Sequence, residues 1–151
     1  MIRVQVCNRQ EKIEISQRRL AAAVRRVLAE AAIAAARVSL AVVDDPTIHE
    51  LNREFLGHDY ATDVLSFLLE RPPAAIEGEI VVSAETAAAE APRYGWSAAE
   101  ELLLYVIHGA LHLVGYDDHS AAKRAEMRAR ERAHLEHWGV RLRPGKEVSG
   151  R

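Results

Sequence analysis

"SAAEELLLYVIHGALHLVGYDDH", residues 97–119, opens with a helix cap and closes on a cluster of polar side chains. Ser97 and Glu100 have the spacing of a capping box, in which each side chain satisfies a backbone N–H that the first helical turn leaves free. The run that follows, "LLLYVIHGALHLV", is apolar on almost every face, so the helix it forms should be buried. Gly115 is a natural stop for that helix. A buried helix needs other layers around it, and the flanking sequence provides them.

Upstream, "IRVQV" (residues 2–6) alternates as a strand, and Ser16 is placed to cap a helix running to about residue 35, with Leu20, Val24, Leu28 and Ala31 on one stripe. "RVSLAVVDD" (37–45) predicts a second strand. Asp45 as cap and Pro46 at the first helical position then open a short helix through "TIHELNREF". "TDVLSFLLE" (62–70) and "GEIVVS" (78–83) read as strands three and four, separated by a "RPPAA" loop whose tandem prolines cannot sit in a central strand. Ser83 starts an alanine-rich helix that ends before "PRYGW". An arginine-rich amphipathic helix is expected from about Ala121 to His137, with Glu126 and Arg130 at the supporting i,i+4 spacing, and the tail at "RPGKEVSG" is expected to fray. No repeat or linker divides the chain, so residues 1–151 read as one α+β domain: a small mixed four-stranded sheet packed with about five helices.

Composition bounds the function. A hydrophobic fraction of 49% and a charged fraction of 28% fit a globular protein, and aromatics are few at 5%. The best candidate for a bilayer span, "AAIAAARVSLAVVDD", is interrupted by Arg37, and the N-terminus lacks the layout of a signal peptide. A single cysteine, Cys7, cannot form an intrachain disulfide and suits a reducing cytoplasm. The net charge of −2 offers no global attraction to nucleic acid, so binding RNA or DNA would require a local basic patch.

The opening stretch also has the spacing of a metal site at the end of its buried helix. His108 and His112 lie four apart, which places their Cβ atoms roughly 5–6 Å from each other on one face. Two such imidazoles can share an ion, and the turn allowed by Gly115 can return a third ligand to it. The count from His108 favours Asp118, whereas ligand type favours His119. Asp117 is expected to support the turn or to orient a histidine ring as an outer partner. Where a metalloprotease carries its glutamate base, this chain has Gly109.

These residues carry a family resemblance. "HGALHLVGYDDH" resembles the YbeY signature H-G-x-L-H-L-x-G-Y-D-H. "LNREFLGHDYATDVLSF" is similar to that family's asparagine-bearing helix leading into P-T-D-V-L-S-F, and "GEIVVS" to its G-D-I-x-I-S strand. The resemblance implies an α+β fold with one zinc ion per chain. The activity it implies is a single-strand-specific endoribonuclease in the bacterial cytoplasm, acting on the 3′ end of small-subunit ribosomal RNA and in ribosome quality control. His108 and His112 match the first two zinc-binding histidines of the family. The third falls on Asp118 if no residue is inserted, as the spacing to Glu126 and Met127 supports, and otherwise on His119. The family's substrate-facing arginine is replaced by Leu56, which leaves Arg53 and His58 as candidates for contacting RNA. No catalytic residue beyond the metal site is assigned. Two other readings are a ribosome-assembly factor with a purely structural metal and, further off, a metallopeptidase.

Overall fold

The computed structural model describes residues 1–70 and 75–150. Ten elements follow in order: β1 (Ile2–Asn8), α1 (Gln17–Glu30), β2 (Ala35–Val43), α2 (Asp45–Leu56), β3 (Val64–Glu70), β4 (Ala75–Ser83), α3 (Ala84–Glu90), a 3₁₀ turn (Ala91–Tyr94), α4 (Ala98–Leu113) and α5 (Ala121–His137). The strands form one mixed sheet in the order β1-β2-β4-β3, with β1, β2 and β4 parallel and β3 antiparallel to β4. The expected α+β architecture, a four-stranded mixed sheet with five helices, is what the described residues form.

Strand alternation divides the core between the two faces of the sheet. Val42, Val64, Ile80 and Val82 join the large cluster built with α1 and α4. Their neighbours Val43, Leu65 and Val81 turn the other way and pack with Ile48 of α2. The capping box at Ser97 and Glu100 is present, and from Glu101 to Leu111 every residue of α4 is buried. That helix touches α1, α3, α5, β3 and β4. Among the described residues, no helix is long and apolar enough to cross a membrane.

Four local expectations are corrected. α1 ends at Glu30, five residues early, because Ala35 and Ala36 pair in register with Ala75 and Ile76 of β4 and Ala32 turns at φ 58°. Sheet pairing overrides the helix preference of the alanines here. The cap of α2 is Asp44, which accepts from the Thr47 N–H at 2.9 Å. Asp45 instead ties α2 to α3, accepting from Ser83 Oγ at 2.5 Å and Thr86 Oγ1 at 2.6 Å. Arg130 does not pair with Glu126 but reaches Glu30 of α1 at 2.5 Å. The segment after α5 is packed rather than frayed: Val140, Leu142 and Val148 are buried, and buried Lys146 pairs with buried Glu101 at 2.5 Å. Of the expected "RPPAA" loop, residues 71–74 lie outside the described residues and Ala75 opens β4.

Gly109 marks where α4 lies directly on the sheet. A Cβ there would stand 2.7 Å from Ile80 Cγ2 and 3.1 Å from Ser66 Oγ, and the Gly109 carbonyl already accepts from that hydroxyl at 3.2 Å. On an exposed helix Gly→Ala is stabilising. At this contact the sign reverses: Gly109→Ala should lower the unfolding free energy by about 1–3 kcal/mol through overpacking, measured by urea denaturation.

Candidate metal centre

The last two turns of α4 bring His108 and His112 to the edge of the core. His108 is 2% exposed, and its Nδ1 lies 2.5 Å from Glu131 Oε2, itself buried on α5. This contact fixes the ring and leaves Nε2 free to face His112. The Nε2 atoms of His108 and His112 stand 3.0 Å apart, with the rings near perpendicular at 80°. The Gly150 carbonyl oxygen also lies 3.0 Å from His108 Nε2. His108 Nε2 thus has two close neighbours that carry lone pairs, and each such contact is repulsive unless a hydrogen or a cation lies between the two atoms.

The donor set fits a metal ion. Two nitrogens, each about 2.0–2.1 Å from one zinc, would stand about 3.3 Å apart at a tetrahedral angle, close to the separation seen. The carboxylate behind His108 is the usual outer partner of a ligating imidazole, since it fixes the ring and raises its basicity. Burial, and then the neighbouring His108, push the His112 pKa down to about 4. His112 is therefore neutral at pH 7, the form that binds a metal.

Asp118 lines a cavity of about 80 Å³ together with His108, Arg124, Arg128 and Glu131. Its charge favours the protonated form of His112, so the two groups feel each other. The His119 side chain is 63% exposed and its Nδ1 faces Asp117 at 3.9 Å. Asp117 supports the turn, accepting from the His119 N–H at 3.0 Å and from Lys123 Nζ at 3.3 Å. The His119 amide is the main cause holding the Asp117 carboxyl below its ordinary pKa. Among the described residues, no three His, Cys, Asp or Glu side chains come together around a single point, so the histidine pair is the assembled part of the site. Arg53 is exposed on α2 and held by Glu50 at 2.5 Å, and exposed His58 stacks on Tyr60 with centroids 5.5 Å apart. Neither lines the cavity that holds His108.

Two participants escape the sequence reading. Glu131 falls on the inner stripe of α5 with Met127 and Leu135, and a glutamate on an apolar stripe is the signal that could have marked it. Buried Asp63, ahead of β3, accepts from the amides of Ser149 and Gly150 at 2.8 and 2.6 Å and so sets the Gly150 carbonyl against His108. That link spans most of the chain and has no local signature.

The family model described as "Endoribonuclease YbeY" matches residues 5–139. A Rhodopirellula baltica protein named endoribonuclease YbeY is 51% identical over 128 residues, covering 78% of this chain and 66% of that protein. The Moorella thermoacetica protein of that name is 45% identical over 124 residues, covering 75% of this chain and 80% of its own length. A Thermotoga maritima protein solved in solution superposes with a TM-score of 0.59 at 29% identity, over 97% of this chain and 100% of that one.

Removing the carboxylate behind His108 should be costly. Glu131→Ala leaves a buried ring nitrogen without a partner and should lower the unfolding free energy by about 1–3 kcal/mol, whereas Glu131→Gln keeps an acceptor and should lose less, both read by urea denaturation.

Proposed function

The chain belongs to the YbeY endoribonuclease family, and on that premise we propose that it is a metal-dependent endoribonuclease that cuts single-stranded RNA. Its targets on this reading are ribosomal RNA or ribosomal subunits, notably the 3′ end of small-subunit ribosomal RNA, with a further part in ribosome quality control, all in the cytoplasm. The observation that supports it best is the convergence of the His108 and His112 Nε2 atoms at 3.0 Å, with His108 locked from behind by Glu131. These two histidines would hold one zinc ion, with Asp118 as the third ligand and His119 as the alternative.

When bound, the ion supplies Lewis acidity to a scissile phosphate and to water. The protein side chains divide the remaining work. Glu131 is committed to His108 Nδ1 and acts as an orienting group rather than a free base. Arg124 stands on the same cavity wall and can meet the negative charge of a phosphodiester, whereas Arg128 beside it is held by Glu131. No general base can be placed at position 109, where the helix lies against Ile80. This counts against peptide hydrolysis by the usual metalloprotease route.

An end-labelled unstructured RNA, incubated with zinc-loaded protein and in parallel with His112→Ala, tests the proposal. Cutting is expected from the parent, and it should fall by at least about 100-fold in the variant and under chelation. Equal residual cleavage in both, with zinc shown to be bound by the parent, would move the assignment to an assembly factor with a structural metal.

A further inference from the structure

A cavity of about 800 Å³ lies between α5 and the segment that follows it. Arg128 and Arg132 reach it from α5, and Arg141, Arg143 and Lys146 from the following segment. Two acids, Glu136 and Glu147, also line it. Two of the five cations are engaged within the protein: Lys146 pairs with Glu101, and Arg128 lies 3.3 Å from Glu131. Arg132, Arg141 and Arg143 form no ion pair within 4.0 Å among the described residues. Arg143 packs its guanidinium over the Trp96 ring at 5.8 Å, and its buried Nε has no hydrogen-bond partner. A chain of net charge −2 has thus gathered five cations against two acids around one concavity, three of the cations being guanidinium groups outside any ion pair among the described residues.

That concavity adjoins the histidine site. Arg128 and Glu147 line both it and the smaller cavity that holds His108 and Asp118. We propose that the arginine-lined cavity between α5 and the C-terminal segment binds the phosphate backbone of the RNA strand whose scissile bond lies at His108 and His112. The proposal rests on the endoribonuclease reading above. Guanidinium forks match phosphate oxygens in pairs and stay charged at any working pH. With the Trp96 face covered by Arg143, recognition here proceeds through phosphates rather than base stacking, and so without regard to sequence.

The test uses the full chain carrying His112→Ala, so that binding is read without cutting. A fluorescein-labelled unstructured RNA of about 12 nucleotides is titrated by anisotropy over a range of salt concentrations. Adding Arg132→Glu with Arg141→Glu, both exposed, should weaken binding at least about tenfold and flatten the salt slope by about 1.4, or about 0.7 for each phosphate no longer neutralised. The Arg132→Lys/Arg141→Lys variant should keep most of the slope, and it carries the test if the charge reversal disturbs folding. Unchanged affinity and slope in the glutamate variant would overturn the proposal and leave the cleavage reading standing. Failure of the parent itself to bind RNA would overturn both. Inorganic phosphate is the competing arm: if it displaces the RNA from the parent at equal phosphate concentration, the cavity takes a single anion rather than a strand, and the proposal fails.

Discussion

Glu131 and His108 meet 2.5 Å apart where neither could remain alone. An ionised carboxylate loses its hydration on burial, and an imidazole nitrogen buried without a partner is also costly. Nδ1 and one carboxylate oxygen satisfy each other, while the second oxygen has Arg128 Nε as an ion-pair neighbour at 3.3 Å but no hydrogen bond. The pair also joins α4 to α5, so the docking of the last helix and the aim of the His108 ring are one event. Because Nδ1 is taken by the carboxylate, Nε2 is the nitrogen that faces His112.

The rest of the site inherits its geometry from how closely α4 approaches the sheet. Gly109 allows that approach, and Gly78 of β4 shows a second tight contact, since a Cβ there would stand 2.9 Å from Leu113 Cδ2. The same closeness decides the chemistry. A side chain after His108 has no room, so no base can stand at the position where metalloproteases keep theirs. The C-terminal segment sets the Gly150 carbonyl against His108 Nε2 through the two amides that Asp63 holds. It also forms one wall of the arginine-lined cavity.

What could be read from the sequence is what is encoded locally. The capping box, the apolar run and Gly115 fix α4 within a single stretch, and the i,i+4 histidines follow from it without knowledge of any partner. Ser16, Ser83 and the bounds of α5 are legible for the same reason. Misreadings fall where distant parts of the chain decide. The alanines after Glu30 favour a helix, yet β1 and β4 draw them into β2. Polar "RPGKEVSG" looks like a fraying tail until buried Glu101 pairs with Lys146 and Asp63 binds the amides of Ser149 and Gly150. Glu131 is hidden in a helix full of charges, because only its partner on α4 distinguishes it from its solvated neighbours.

Zinc calorimetry on the metal-free chain, comparing the parent with Glu131→Gln at pH 7, tests the central claim most directly. The account predicts one ion per chain for the parent and an affinity about 10–100-fold weaker for the variant, because a ligating histidine loses the carboxylate that orients it. No zinc binding by the parent, or equal affinity in the two proteins, would contradict it.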